Sequence, residues 1–384
     1  MKRKTATWLI HRRAGGRIHP TVNPPIERGS TLLLSDAADL YGPGRTYGRH
    51  GLSVQAELCD ALCELEAAEA VHLAPSGVAA CALAIGALVR SGDHVIAQDS
   101  LYGPTRRFCE RRLSAMGVDT TFVDPRAADG FAASYRDNTK VVVLEAPGSL
   151  TFELPDLRGA IDVAQQRGAR VVVDNTWSAG VYLKPLKLGA SVSVQALTKY
   201  AGGHSDAFGG AVLSGDRATA GLVERTSQDW GLTLGPDDAY ALLKGLRTLP
   251  LRLERHSASA QKIADWLALR SEVDAVLHLS RDDHPDHALW ARDFRGASGL
   301  FSVILKPVPD AAVIRFCNAL NLFGLGFSWG GYESLLIPCD PQLRRRRGDW
   351  TNTKTGPLIR FQIGLEDPDD LIADLEKALG RLSD

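Results

Sequence analysis

The chain reads as α/β with a mainly parallel sheet, on three observations. Apolar runs at 94–98 (HVIAQ), 140–144 (KVVVL) and 170–173 (RVVV) each lead into a polar turn, the pattern of buried strands. Helical stretches near 104–115 and 156–168 alternate with them, which implies right-handed crossovers between parallel strands. The run ending at residue 173 delivers a carboxylate, Asp174, to its C-terminal end, where open α/β sheets gather ligand-binding groups.

The elements follow in order. Residues 1–46 have little periodicity and contain Pro20, Pro24, Pro25 and Pro43, so they read as an extended arm of the kind that packs on another subunit. The glycines of YGPGRTYGRHG follow no apolar strand and lack G-x-G-x-x-G spacing, which argues against a dinucleotide loop. Val54, Leu58, Leu62 and Leu65 recur at helical spacing and predict an amphipathic helix over 53–68. Pro75, Ser76 and Gly77 then open an almost wholly apolar helix, whose unpaired N–H groups and dipole make its start a candidate anion site. Tyr102 lies just past the strand at 94–98, where an aromatic ring can stack on a flat ligand or cover the surface.

Residues 190–210, ASVSVQALTKYAGGHSDAFGG, place a lysine between two apolar runs. Taking an ammonium out of water is costly, so such a lysine tends toward the neutral amine, which can condense with an aldehyde. Lys199 is therefore the candidate nucleophile, and Asp174 the candidate partner for a pyridinium nitrogen. From about Leu249 the pattern changes to a helix (RHSASAQKIADWLAL), shorter strands at 300–305 and 358–364, and a terminal helix at 368–381, a smaller α/β unit. Arg360 stands in the apolar run PLIRFQIG, where it needs a carboxylate from the protein or from a substrate.

TKYAGGHSD, with YGRHG (47–51), DNTWSAG (174–180), SWGGYESL (328–335) and PLIRFQIGLEDPDDLIADL (357–375), resembles the Cys/Met-metabolism pyridoxal phosphate enzymes, and most of all their β-lyase branch. The resemblance implies a fold-type I, aspartate aminotransferase-like architecture. It divides into an arm at 1–52, a large cofactor domain at 53–248 and a small domain at 249–384. It also implies pyridoxal 5′-phosphate as cofactor, with Lys199, Tyr102 and Asp174 as the catalytic set. Gly77, Val78, Thr198 and, from a neighbouring subunit, Tyr47 and Arg49 would complete cofactor binding. Arg360, Ser328, Trp329 and Tyr332 would meet an amino-acid substrate. Three residues depart from the pattern: relatives often carry serine where this chain has Ala146 and Ala196, and histidine where it has Gln362.

The activity implied is β-elimination of L-cystathionine to L-homocysteine, pyruvate and ammonia in methionine biosynthesis. The rivals are a broader cysteine-S-conjugate or cystine β-lyase, a γ-lyase or γ-synthase, and a silent cofactor-binding regulator. The family further implies a homo-oligomer, a dimer at least and a tetramer of two such dimers.

Composition is consistent with this reading. A net charge of −1 over 384 residues calls for no nucleic acid and no anionic membrane. Six scattered cysteines without a CxxC pair suit a reducing compartment, and no run reaches the length of a membrane span, so a cytoplasmic protein is expected. No metal is expected: Cys59 and Cys63 read as core residues and His284 and His287 as a solvated loop. Arg344 to Arg347 read as a solvated or subunit-contact loop.

Overall fold

The computed structural model describes residues 4–11, 21–42, 44–127, 129–343 and 356–383. The four-arginine run at 344–347 lies outside them. Strands β1 (Ala70–Ala74), β2 (His94–Gln98), β3 (Asp119–Val123), β4 (Thr139–Glu145), β5 (Arg170–Asp174), β6 (Val192–Gln195) and β7 (Gly210–Ser214) form a seven-stranded sheet in the order β1-β7-β6-β5-β4-β2-β3. All neighbours are parallel except β7, which runs antiparallel to β1 and β6. Strands β8 (Val273–Leu277), β9 (Leu300–Leu305), β10 (Gly324–Leu325), β11 (Leu335–Pro338) and β12 (Leu358–Gln362) make a second sheet in the order β10-β11-β12-β9-β8.

The helices are α1 (Thr5–His11), α2 (Ser53–Glu66), α3 (Gly77–Gly86), α4 (Gly103–Arg107), α5 (Gly130–Ala133), α6 (Leu157–Gln166), α7 (Arg217–Asp229), α8 (Pro236–Ala268), α9 (His287–Asp293), α10 (Asp310–Ala319) and α11 (Pro368–Leu379).

The middles of the central strands, Val95–Ala97, Val141–Leu144 and Val171–Val173, are uninterrupted apolar runs because both faces are covered. Val95, Ala97, Val141, Val143 and Val172 pack with Ala80, Leu83 and Ala84 of α3. Their alternates Ile96, Val142, Leu144, Val171 and Val173 pack with Leu157 and Ile161 of α6, and with Leu300 and Ile304 of β9. The second sheet thus rests against the first beside the ends of β4 and β5. Its far side is filled by Ile263 and Leu267 of α8, Phe316 of α10, and Leu371 and Leu375 of α11.

Two sequence expectations are corrected. The first 46 residues are not simply an extended arm, since α1 is a helix whose Leu9 is buried with Leu58 of α2 and Leu246 of α8. The change of pattern at Leu249 is not an element boundary either. Helix α8 runs 33 residues through it with Pro250 inside, despite the lost N–H that makes proline a breaker. Leu242, Leu246, Leu249 and Leu253 of α8 are buried against Leu58 and Leu62 of α2. Each such side chain contributes about 2 kcal/mol of burial, enough to hold the helix across the proline.

Candidate active site

Three chain segments converge where the parallel strands end. Strand β5 delivers Asp174, whose Cα pairs in register with Glu145 of β4 and Val194 of β6. Asp174 Oδ1 accepts from the Thr176 amide at 3.0 Å and hydroxyl at 2.5 Å, and the Cys81 thiol approaches Oδ2 at 3.6 Å. Burial raises the Asp174 pKa, against the Thr176 and Cys81 hydrogen bonds and the Lys199 charge. Thr176 Oγ1 also accepts from the Ala196 amide at 2.9 Å, which ties the carboxylate to the turn leading into Lys199. Behind this strand end, Asn175, Ser193 and Gln195 all donate to the buried Glu66.

Lys199 follows β6 on a compact turn. Its amide donates to Ala196 O at 3.1 Å, and its carbonyl accepts from Gly203 at 2.8 Å. The amine donates to Ser328 Oγ at 2.9 Å and lies 5.3 Å from the Trp329 ring centroid. Burial first, then the Arg360 charge, pushes the amine down to about 8, and Asp174 opposes the shift.

Arg360 comes from β12, opposite Ser302 of β9 and Ile337 of β11. Its guanidinium donates to Phe327 O at 2.9 Å and Ser328 O at 3.2 Å, and Nε has no partner. Among the described residues no carboxylate pairs with it, and burial lowers its pKa. A buried cation left this way is costly until an anion reaches it.

Asp174, Lys199, Arg360, Tyr102, Ala196 and Trp329 line one cavity of about 70 Å³. It adjoins an outer cleft of about 420 Å³ through Tyr102, Ser149, Leu150, Phe327 and Arg360. Tyr102 opens α4, and its amide donates to Glu145 Oε2 at 2.5 Å.

Helix α3 begins beside this cavity. Ser76 Oγ accepts from Ala79, so the N–H groups of Gly77 and Val78, which have no acceptor within the helix, remain for a ligand. A Cβ added at Gly77 would stand 2.4 Å from that of Ala196, so only glycine lets this helix start meet the lysine turn so closely.

Other expected residues lie apart. Thr198 Oγ1 donates to Gly209 O and accepts from Gly209 N, closing the loop after the lysine, and Thr198 is absent from the cavity lining. Tyr332 is 55% exposed and is also outside the lining. Tyr47 and Arg49 stack on each other, and Arg49 lines a different cleft with His72 and Glu224. Within one chain they do not meet Lys199.

His284 is corrected: it is 3% exposed and accepts from the Asp286 amide, so it is a core residue and not part of a solvated loop. Among the described residues no histidine, cysteine or acid cluster could hold a metal, and no helix is long and apolar enough to cross a membrane.

Sequence reasoning missed Glu145 and Phe327. Glu145 ends an apolar strand in the way Asp174 does, so the rule that selected one selects both. No pattern in the sequence points to Phe327.

A low-pKa lysine, a buried acid and an unpaired arginine around one cavity at a sheet switch point define an α/β enzyme suited to amino acids and an aldehyde cofactor. The family model for the Cys/Met metabolism PLP-dependent enzymes matches residues 6–380. A cystathionine beta-lyase of Bordetella avium is 41% identical, with 94% of this chain and 92% of that protein covered. One of Salmonella typhimurium is 39% identical, with 94% of each covered. The crystal structure of a cystathionine gamma synthase from Xanthomonas oryzae pv. oryzae, in complex with aminoacrylate and cysteine, superposes with a TM-score of 0.91 at 30% identity. It covers 100% of this chain and 99% of that one.

The chain belongs to the Cys/Met-metabolism PLP-dependent enzyme family, and it has the fold-type I architecture. Its cofactor is pyridoxal 5′-phosphate. The residues present fit that group: an amine and a buried carboxyl share one cavity, and a helix start with a close-approach glycine stands beside it.

Proposed function

We propose that the enzyme cleaves L-cystathionine by β-elimination, which with one water yields L-homocysteine, pyruvate and ammonia. The observation that carries this reading is the contact of the Lys199 amine with Ser328 and Trp329, the first residues of the β-lyase-like SWGGYES. The relatives named cystathionine beta-lyase, similar over nearly the whole chain, support it.

In this reading Arg360 binds the substrate's α-carboxylate, the anion its site lacks. Asp174 keeps the pyridine nitrogen protonated. Gly77 and Val78 give N–H groups to the phosphate, Tyr102 stacks on the ring, and Trp329 shapes the distal pocket. Pyridoxal phosphate supplies the electron sink for the carbanion left at Cα. The neutral Lys199 amine takes the Cα proton, and the ammonium so formed returns it to the departing sulfur. Tyr47 and Arg49 reach the phosphate from a neighbouring subunit, so the working enzyme is a dimer or a pair of dimers, acting in the cytoplasm in methionine biosynthesis. Thr198 steadies the lysine turn through its hydrogen bonds with Gly209.

The structural likeness to a γ-synthase favours γ-chemistry as the second reading. Product analysis with cystathionine separates the two. Pyruvate with homocysteine is expected, and 2-oxobutyrate with cysteine overturns the proposal.

A further inference from the structure

Lys199 and Arg360 come from different sheets, yet one substrate has to reach both. Their separation must therefore be fixed by something that joins the lysine turn to β12. The residue after the lysine, Tyr200, is fully buried and reaches that strand. Its hydroxyl accepts from the Gly299 amide at 2.9 Å and donates to Gln362 Oε1 at 3.2 Å.

Gln362 is also fully buried, and it lies two residues beyond Arg360, on the same face of β12. Its own amide is spent on Ile363 O at 2.9 Å. The backbone side of Tyr200 is held as well. Arg252 of α8 donates to Tyr200 O at 2.8 Å and to Gly245 O at 2.8 Å. A Cβ on Gly330 would stand 2.7 Å from Tyr200 N and 3.1 Å from Lys199 Cα, so the loop carrying Ser328 and Trp329 presses on the same turn. Neither Tyr200 nor Gln362 lines the cavity. Their effect on a substrate has to pass through Lys199 and Arg360.

We infer that Tyr200 and Gln362 are positioning residues: their hydrogen bond sets the span between the cofactor lysine and the carboxylate-binding arginine. The inference rests on the roles proposed above for those two residues. It gives a use to Gln362, which the substrate pocket leaves without one.

The test uses the holoenzyme with Tyr200→Phe, Gln362→Leu and the double variant. Five quantities are measured: the dissociation constant of glycine from the change in cofactor absorbance, KM and kcat for cystathionine, the affinity for pyridoxal phosphate, and Tm. Each single variant is expected to weaken glycine and raise KM about fivefold to tenfold, with cofactor affinity held within about twofold. The double variant should fall short of the product of the singles, because the Tyr200–Gln362 bond is lost in each of them, while the Gly299 and Ile363 bonds are lost separately.

A lower Tm with glycine binding and KM within about twofold of the parent overturns the inference and leaves a purely structural role. Effects that multiply in the double variant overturn the pairing. If the parent enzyme releases no pyruvate from cystathionine while Tyr200→Phe still weakens glycine, the proposed reaction falls and the positioning link stands.

Discussion

The charge of one amine decides when this site is competent. Burial first and then the Arg360 charge bring Lys199 down to about 8, against the opposing charge of Asp174. The neutral, reactive fraction therefore grows as pH rises through about 8. In the cofactor-free enzyme, modification of Lys199 by an amine-selective reagent, read by mass spectrometry, should follow a curve centred there. Arg360→Leu removes a like charge and should move the midpoint up; Asp174→Asn removes an opposite charge and should move it down. A midpoint at the ordinary lysine value in the parent enzyme would contradict the buried environment. Arg360→Leu should also raise KM by about thirtyfold or more with the cofactor's absorbance retained, as steady-state kinetics and a spectrum can check. At this scale the sequence was legible wherever a charged residue interrupted an apolar run, as at Asp174, Lys199 and Arg360. Glu145 meets the same test. Thr198 and Tyr332 were chosen by resemblance alone, because facing the cavity or facing away depends on a turn whose geometry residue type does not fix.

The α3 start and the lysine turn form one unit, because Gly77 leaves no room for a side chain against Ala196. Gly77→Ala should force the two apart and weaken pyridoxal phosphate about tenfold, measured by titrating the cofactor-free protein. Ala196→Ser should act in the opposite direction. Ala196 lines the cavity, and a hydroxyl there adds a donor for the phosphate, worth about fivefold in affinity. An unchanged affinity in both variants would mean that the phosphate is bound elsewhere. Strand positions were legible because burial on both faces leaves uninterrupted runs such as VVV at 171–173. Helix α8 was not, since Pro250 reads locally as a stop and only packing against α2 overrides it. His284 was misread for a related reason: Pro285 suggested a broken helix and a solvated loop, while the fold buries the ring.

At the scale of the whole molecule, the proposed site draws on two chains. Arg49 and Tyr47 belong to the segment around a bridge between Thr31 and Tyr47, and Arg49 faces a cleft other than the one holding Lys199. If a neighbouring subunit supplies them, defects in the two residues must complement each other. Arg49→Ala and Lys199→Ala homodimers are each expected to be nearly inactive. When equal amounts are mixed and allowed to exchange subunits, about half the dimers carry one chain of each kind. In such a dimer the site built on the Arg49→Ala chain has an intact lysine of its own and an intact arginine from its partner. The other site lacks both. Activity should therefore return to about one quarter of the parent value, measured as pyruvate release after exchange. Were both residues to act within one chain, every site in the mixture would carry one lesion, and no activity would return. The size of the recovery thus reports whether this enzyme's smallest working unit is one chain or two.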